Sequence, residues 1–296
     1  MSAQLPNLEI ESILGKGGTA VVYKARQLST GREVAVKVLD KGFAKTTEDI
    51  IRFVNEAKAC GRFQHRNIVR VYDAGEQSGI YYFVMELVQG YSFAELLVRK
   101  KQVAIDDALI ILESVAQALL YAWTKFKVVH CDIKPDNIMV DADGTIKLMD
   151  LGISRSVLSA RAVDKASDEI MGTPAYMSPD QIYDLPDIDC RADIYSLGAT
   201  LYHLITGYAL FPGKPDQEII DSHIGPNFAR DPRIVIPKIP RAFVLMLNRM
   251  LAKDRMLRYP NWETLGADIA RLYAGETLLA TPLKVGESSM SFMSEW

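Results

Sequence analysis

Four short segments have residue types and spacings that could support phosphoryl transfer. GKGG, residues 15–18, stands between two stretches rich in β-branched residues. Glycine lets a backbone approach a phosphate closely, with its N–H groups aimed at the anion. Lys37 follows in VAVK, where a strand lysine would hold a positive charge near a triphosphate. Because a lysine in a mostly buried strand needs an anionic partner, Glu56 in the next predicted helix is its candidate partner.

The other two segments carry carboxylate and amide oxygens. HCDIKPDN, residues 130–137, follows a long amphipathic stretch, and DLG follows a hairpin signal, DADG. Asp132 could accept a proton from an attacking hydroxyl, and Lys134 could neutralise charge on a transferred phosphoryl group. Asn137 and Asp150 are hard oxygen ligands suited to Mg²⁺. Such chemistry would work mainly by positioning and electrostatic stabilisation.

Composition excludes several other classes of protein. The 296 residues are 49% hydrophobic and 24% charged, which is ordinary for a globular chain able to bury a core. Lys plus Arg is 34 and Asp plus Glu is 37, so the net charge is −3. This charge argues against a strongly basic nucleic-acid-binding protein. Three cysteines, Cys60, Cys131 and Cys190, show no CxxC spacing. Their odd number argues against a disulfide framework or a zinc site.

Targeting segments are not evident in the sequence. The longest apolar stretch, residues 108–123, is interrupted by Glu113, Ser114 and Gln117 and falls short of about 18 uncharged residues. The first residues, MSAQLPNLEIES, lack the basic and apolar regions of a signal peptide. We expect a cytoplasmic protein, or the cytosolic domain of a longer one, without a membrane segment in this chain.

Two regions with different predicted secondary structure must position these four segments. The first region reads as strands, with a helix over residues 46–62 whose apolar residues recur at helical spacing. A long amphipathic helix over residues 107–127 opens the second region, which is mainly helical from residue 192 onward. The predicted strands are residues 10–14, 20–25, 33–39, 69–72 and 80–87, with short strand-like pieces at 128–129, 138–140 and 146–148. The pattern predicts an α+β fold.

Taken together and in order, the segments resemble the eukaryotic-type protein kinases, particularly their bacterial Ser/Thr members. The similarity runs from about Leu8 to Tyr273 and includes three further signatures. These are GTPAYMSPD at 172–180, DIYSLG at 193–198 and KDRMLRY at 253–259. Each signature alone is weak, whereas their ordered combination is specific.

The resemblance implies a two-lobed protein kinase fold. Residues 1–88 would form a small N-lobe with an antiparallel sheet and one main helix. Residues 89–275 would form a larger, mainly α-helical C-lobe with the catalytic loop, activation segment and substrate platform. Residues 276–296 would be a C-terminal tail, either flexible or docked.

The resemblance also implies that ATP binds in the cleft between the lobes. Glu86 and Val88 would offer backbone hydrogen bonds to the adenine, with Met85 as gatekeeper, and Lys37 would contact the α- and β-phosphates and pair with Glu56. The implied nucleotide-binding residues are Leu14, Gly15, Gly17, Gly18, Val22, Ala35, Lys37, Glu86, Val88 and Met139.

In the same way the resemblance assigns the chemistry. Asp132 would be the catalytic base and Lys134 the contact to the γ-phosphate. Asn137 and Asp150 would ligate Mg²⁺, or Mn²⁺ in its place. The implied regulatory and structural residues are Glu56, Cys60, Val71, His130, Leu151, Thr173, Asp180, Asp193 and Arg258. Among them, Thr173 would brace Asp132 and Lys134, and Asp193 would anchor the catalytic loop by hydrogen bonds.

Four positions depart from the family pattern. Ala20 replaces the third loop glycine, Leu151 the usual Phe and Asp180 the usual Glu, all of which we interpret as tolerated. Cys131 stands where regulated kinases carry an Arg that binds an activation-loop phosphate. We therefore hypothesise that activity does not strictly require phosphorylation of this loop, although Arg52 and Arg155 stand where relatives carry accessory cations.

The leading function is transfer of the γ-phosphate of Mg-ATP to Ser or Thr hydroxyls of protein substrates, including the chain itself. A homodimer would serve autophosphorylation, and Ser154, Ser156, Ser159 and Ser167 are the candidate acceptors. One alternative is a pseudokinase, a binding or scaffold module with a kinase fold. Another is a small-molecule kinase, against which the GTPAYMSPD segment argues.

Overall fold

A computed structural model describes residues 5–17, 20–39, 50–51, 53–54, 61–151 and 173–292. Contacts divide the chain into two compact units. The first unit combines Met1–Gly90 with Val140–Ile153, and the second combines Tyr91–Met139 with Ser154–Trp296. The lobe boundaries expected after residues 88 and 275 stay predictions, because this division follows contacts alone.

The first unit is built on a five-stranded antiparallel sheet in the order β1-β2-β3-β5-β4. Hairpin turns join β2 to β3 and β4 to β5, and each contains a glycine with positive φ, Gly31 at 68° and Gly79 at 73°. Because glycine adopts such angles without steric cost, these turns suit tight connections between strands. The strands are β1 (Leu8–Lys16), β2 (Ala20–Gln27), β3 (Glu33–Leu39), β4 (Val71–Gln77) and β5 (Ile80–Glu86).

The central strand, β3, carries Lys37 into the interior of this unit. Alternate side chains of a strand face opposite sides of the sheet. Val34, Val36 and Val38 enter one apolar cluster of the first unit, and Ala35 and Leu39 enter another. Lys37 therefore shares its face with Ala35 and Leu39, and it is buried.

The predicted helix over residues 46–62 lies mostly outside the described residues. Ile50, Ile51, Phe53 and Val54, which the structure does describe, are helical. Phe53 is buried, and its ring centroid lies 5.2 Å from that of Phe83 on β5. This contact places the helical segment against the same face of the sheet as Lys37.

Three short strands follow, β6 (Tyr91–Ser92), β7 (Ile138–Val140) and β8 (Ile146–Leu148). A tight turn connects β7 to β8, closed by the Gly144 amide bonding to the Asp141 carbonyl at 3.0 Å. Gly144 has a φ of 84°, as a DG turn requires. The bounds of β7 and β8 confirm the two strands predicted around DADG.

The second unit is mainly helical, and seven α-helices lie in its described residues. Single 3₁₀ turns occur at Pro135–Asn137, Pro174–Tyr176, Pro232–Ile234 and Arg255–Leu257. No helix among the described residues is both long and apolar enough to cross a membrane. The helices are α1 (Phe93–Lys100), α2 (Ile105–Phe126), α3 (Pro179–Ile182), α4 (Cys190–Thr206), α5 (Asp216–Ile224), α6 (Arg241–Met250) and α7 (Trp262–Ala274).

Helix α4 is the core of the second unit and is buried over nearly its whole length. It contacts α2, α3, α6 and the Pro174–Tyr176 turn. A Cβ on Gly198 would lie 3.0 Å from Met250 Cβ, so glycine permits the close approach of α4 and α6. Asp189 caps the start of α4 by accepting the Arg191 amide, and Gly207 ends it with a φ of 78°.

Several predicted elements have other bounds in the structure, among them the helix expected to reach residue 62, since Gly61 and Arg62 lie in a turn. The long helix begins and ends earlier than the predicted residues 107–127, because Lys127 adopts a left-handed conformation with a φ of 54°. Residues 128–129 form no strand, and Val129 is buried in a cluster with Cys131, Ile188 and Ala192. The strand predicted at 69–72 instead begins at Val71.

Candidate active site

Four side chains of the second unit meet around the loop at residues 130–137. Asp132 Oδ2 accepts from Asn137 Nδ2 at 2.9 Å and pairs with Lys134 Nζ at 3.0 Å. Lys134 Nζ also donates to Thr173 Oγ1 at 3.1 Å. Because Oδ2 is held by two donors, Oδ1 is the oxygen that an acceptor hydroxyl would reach. The Asp132 side chain is 36% exposed, so such a hydroxyl has access to it.

The local sequence explains how Asn137 turns back onto Asp132. Pro135 occupies the first position of the 3₁₀ turn, where its fixed φ favours the helical conformation and its missing N–H costs nothing. The Asn137 amide closes this turn on the Lys134 carbonyl at 3.0 Å. Asn137 Nδ2 then also donates to the main-chain carbonyl of Asp132 at 2.8 Å.

Buried polar groups hold the backbone on the N-terminal side of Asp132. Asp193 on α4 accepts the amides of His130 at 2.7 Å and Cys131 at 2.8 Å. Gln181 Nε2 donates to the Cys131 carbonyl at 2.7 Å. Cys131 itself has a φ of 61°, which a non-glycine residue adopts only under constraint. These bonds supply the constraint that fixes the loop.

The carboxyl of Asp193 is completely buried in the second unit. Burial raises its pKa to about 6, whereas His130 and the two amide bonds oppose that shift. The group is therefore ionised at neutral pH and acts as an acceptor for the main chain. The structure shows Asp193 bonded to the loop backbone, and the anchoring role expected from the sequence stays a prediction.

In the first unit, Lys37 Nζ pairs with Asp150 Oδ1 at 3.0 Å. The ammonium group also lies 5.5 Å from the centroid of the Phe83 ring. Asp150 has a φ of 53°, so it joins Cys131 among the non-glycine residues held in left-handed conformation. Glu56, the expected partner of Lys37, lies outside the described residues.

The expected adenine-site residues of the first unit lie around one apolar cluster. Ala35 is part of that cluster, and Val22 and Val88 pack against it. Leu14 on β1 is 50% exposed. Gly17 donates its amide to the Ala20 carbonyl at 2.9 Å.

Glu86 is held at both its main-chain amide and its side chain, and the other residues expected to bind nucleotide lie elsewhere in the structure. The Glu86 amide donates to the Arg70 carbonyl at 2.8 Å. A backbone hydrogen bond from Glu86 to a ligand would therefore use the Glu86 carbonyl. The Glu86 carboxylate pairs with Lys147 Nζ at 2.5 Å. Gly15 pairs with Val22 across β1 and β2. Met139 belongs to the second unit, and Gly18 lies outside the described residues.

The side chains expected to hold Mg²⁺ have the right donor chemistry in each unit. Asn137 uses Nδ2 for both of its bonds to Asp132, which leaves the Oδ1 oxygen for a cation. Asp150 presents a carboxylate whose side chain is 24% exposed. Amide and carboxylate oxygens are the protein ligands that Mg²⁺ prefers, so these residues fit that ion.

The remaining expected structural residues fall into separate groups. Asp180 and Arg258 form a buried ion pair in the second unit, with Oδ2 and Nη1 2.6 Å apart. Val71 and Leu151 belong to the first unit and His130 to the second, where it is fully buried. Cys60, Arg52, Arg155 and the candidate acceptor serines lie outside the described residues.

Sequence reasoning missed two groups of polar residues in the second unit. Gln181 and Thr200 support the catalytic loop, the latter by donating Oγ1 to the Ile133 carbonyl at 3.1 Å. Tyr195, His223 and Ser289 form a second buried network. A polar residue inside an otherwise buried helix, such as Thr200 in α4, was the only available signal.

Most of the chain is similar to known protein kinases. A family model described as protein kinase domain matches residues 8–267. A probable serine/threonine-protein kinase of Clostridium acetobutylicum is 37% identical over 253 residues, which cover 86% of this chain and 38% of that protein. Serine/threonine-protein kinase PrkC of Bacillus subtilis is 34% identical over 270 residues, covering 91% and 41%. The chain thus spans about two fifths of the length of these relatives.

Solved structures agree with the fold. The crystal structure of the Mycobacterium tuberculosis PknI kinase domain matches with a TM-score of 0.70 at 25% identity, covering 91% of this chain and 96% of that one. A further crystal structure of the same domain matches with a TM-score of 0.68 at 24% identity. These matches confirm the antiparallel sheet and the mainly helical second part predicted from the sequence.

Proposed function

This chain belongs to the protein kinase domain family, and we propose that it transfers the γ-phosphate of ATP to serine or threonine hydroxyls of proteins. The observation that carries the proposal is the contact of Asp132 with both Lys134 and Asn137. A carboxylate held through one oxygen, beside an ammonium group, suits a base that meets an incoming hydroxyl.

In the proposed reaction, Asp132 Oδ1 accepts the proton of the acceptor hydroxyl. The hydroxyl oxygen forms a bond to the γ-phosphorus as the bond to the β-phosphate oxygen breaks, leaving ADP. Lys134 Nζ, which lies 3.1 Å from Thr173 Oγ1, would stabilise negative charge on the transferred group. The Thr173 hydroxyl keeps the ammonium group at this place.

For the nucleotide, we propose the residues expected from the sequence. Lys37 would bind the α- and β-phosphates, with its ammonium group oriented by Asp150 and Phe83. Leu14, Val22, Ala35, Val88 and Met139 would contact the adenine. Asn137 and Asp150 would hold Mg²⁺ through their oxygens, and the ion, when bound, would neutralise phosphate charge.

Cys131 supports a proposal about control. Its side chain is 8% exposed and packs with Val129, Ile188 and Ala192. A thiol in this apolar cluster offers no positive charge to an activation-loop phosphate, which carries about −1.5 to −2. We therefore propose that phosphorylation of the loop is not strictly required for activity.

Substrates and setting follow from the proposed activity. Protein substrates with Ser or Thr acceptors, including this chain, would be phosphorylated, and a homodimer would serve autophosphorylation. We place the reaction in the cytoplasm, where ATP is available. The net charge of −3 supports protein partners over nucleic acid.

The test is an assay of label transfer from γ-labelled Mg-ATP to a generic basic protein and to the chain itself. Acid hydrolysis then identifies the labelled amino acid. We expect phosphoserine or phosphothreonine. Label on a small-molecule alcohol alone would favour the small-molecule kinase, and nucleotide binding without label on any acceptor would favour the pseudokinase.

A further inference from the structure

A segment near the end of the chain is built into the second unit. Residues 286–292, here called the strap, lie beyond the part that matches the protein kinase family model. The Ser289 amide donates to the Leu251 carbonyl at 2.9 Å, and the Ala229 amide donates to the Ser289 carbonyl at 2.8 Å. The Ser291 amide returns to the Ala229 carbonyl at 2.8 Å. The strap therefore runs as an extended segment between two others.

Side chains secure the strap on both sides of Ser289. Ser288 Oγ donates to the Asn248 carbonyl at 3.0 Å, and Asn248 Nδ2 donates to the Met290 carbonyl at 3.0 Å. Met290 is buried. The Phe292 ring lies 5.2 Å from the guanidinium carbon of Arg233. Ser289, at the centre, is completely buried.

From Ser289 a chain of contacts crosses the core of the second unit. The Tyr195 hydroxyl on α4 donates to Ser289 Oγ at 2.6 Å. The same hydroxyl lies 2.6 Å from His223 Nδ1 on α5. Helix α5, which carries His223, contacts the Pro174–Tyr176 turn. This turn directly follows Thr173, whose hydroxyl accepts from Lys134 Nζ at 3.1 Å.

The residues in this series of contacts have little freedom to rearrange. The Arg258 guanidinium carbon lies 5.1 Å from the Tyr195 ring centroid, and Phe211 meets the His223 ring edge to face at 5.0 Å. Burial lowers the pKa of His223 to about 3, so its imidazole is neutral at physiological pH. A neutral imidazole has one N–H donor, so its tautomer is coupled to the Tyr195 bond. Removing one hydroxyl would leave a buried partner unsatisfied.

We propose that the strap positions the substrate-binding end of the activation segment, residues 173–176, through Ser289, Tyr195 and His223. These three are positioning residues, because none of them contacts Asp132 or Lys134 in the described structure. The proposal rests on the proposed function, since residues 173–176 matter for catalysis only if Thr173 braces Lys134. Strap docking would thereby tune how well a protein substrate binds.

The test compares the full chain with Tyr195→Phe and Ser289→Ala. Ser291→Ala is the matched control, because it removes a strap hydroxyl outside the chain of contacts and keeps the main-chain bond to Ala229. We expect KM for a generic basic protein to rise about threefold to tenfold in the first two variants, as the loss of one buried hydrogen bond predicts. KM for ATP should stay unchanged in all of them.

A second measurement does not depend on activity. Hydrogen exchange reports on the amides of Tyr176 and Met177, which bond to the carbonyls of Thr173 and Pro174 at 3.2 Å. We expect faster exchange there in Tyr195→Phe and Ser289→Ala but not in Ser291→Ala. If the unaltered chain transfers no phosphate, the proposed function fails and this exchange alone decides the inference. Unchanged exchange, or a KM for ATP raised as much as that for protein, overturns it.

Discussion

The main-chain amide of Cys131 donates to the carboxylate of Asp193 over 2.8 Å, across 62 positions of sequence. Cys131 adopts a φ of 61° at this point, directly before Asp132. The bond uses the backbone of Cys131 and leaves the side chain to pack among apolar residues. The carboxylate of Asp193 on α4 therefore holds the loop through its main chain, with Gln181 on α3 bonding to the Cys131 carbonyl.

We predict that Asp193→Asn slows phosphate transfer and destabilises the protein. An amide has only one acceptor oxygen and no charge, so it cannot accept the amides of both His130 and Cys131 equally well. The loss of such charge-assisted bonds should cost about 2–3 kcal/mol of unfolding free energy. Denaturant unfolding and initial rates of transfer measure the two effects.

Asp189→Asn is the control for that variant. Asp189 lies on the same helix and caps its start, and asparagine is an equally good capping residue. The control should leave the transfer rate close to that of the unaltered protein. Equal loss of rate in both variants would contradict the assignment of Asp193 as the anchor of the loop.

The buried Cys131 side chain predicts that phosphatase treatment leaves most of the transfer activity intact. No cationic group at position 131 exists to bind a phosphate, so removing phosphate should break no contact there. Rates before and after treatment, with the phosphorylation state checked by mass, measure this. Protein that is inactive until it is rephosphorylated would rule the idea out.

The Asp180–Arg258 pair predicts a large effect of Arg258→Met on stability. Both side chains are almost completely buried, and Arg258 also donates to the Ala252 carbonyl at 2.6 Å. Removing the guanidinium leaves an uncompensated carboxylate in the interior, which should cost about 3–5 kcal/mol. The midpoint of denaturant unfolding reports the loss.

Arg255→Met is the matched control, three residues earlier in the chain. Arg255 pairs with Asp187, whose side chain is 65% exposed, so solvent screens this contact. Little change in the unfolding midpoint is expected. Similar losses for Arg255→Met and Arg258→Met would show that burial does not set the strength of the inner pair.

His223 predicts a dependence of stability on pH. Its pKa is lowered to about 3 in the folded protein by burial, with the Lys253 charge adding to the effect, whereas an unfolded histidine titrates near 6.5. The unfolded chain therefore binds a proton that the folded chain does not, and stability falls as pH drops from 6.5 toward 3. His223→Gln lacks this contribution.

The stability advantage of the unaltered protein over His223→Gln should shrink by about 2 kcal/mol between pH 6 and pH 4. Denaturant unfolding of both proteins across this range measures it. A constant difference would mean that His223 takes up a proton in the folded state as readily as in the unfolded chain. In that case its bond to Tyr195 would have a different donor arrangement.

Local patterns predicted much of the fold. The alternation in EVAVKVL gave β3 with its observed bounds, and the DADG turn between β-branched residues gave β7 and β8. Asp132, Lys134 and Asn137 could be grouped because six residues of one loop contain all three. Their assigned roles, and those of the nucleotide residues, stay predictions.

Contacts between distant residues could not be predicted in the same way. Periodicity indicates which side of α4 is buried, but not that Tyr195 bonds to Ser289, which is 94 residues away. Main-chain hydrogen bonds to Ala229 and Leu251 hold the strap, and such bonds require no pattern of side chains. The strap could therefore not be predicted from a periodic pattern of apolar residues. The sequence accordingly left the tail open between flexible and docked, whereas its residues up to 292 pack on the second unit.

The most direct test of the central claim compares Asp132→Asn with the unaltered chain in transfer of labelled phosphate from Mg-ATP to serine and threonine. Asp143→Asn, an exposed turn residue, is the matched control, and nucleotide affinity is measured for all three proteins. We predict that Asp132→Asn still binds ATP but loses nearly all transfer, while the control retains it. Transfer by Asp132→Asn at the unaltered rate would show that the loop does not supply the base.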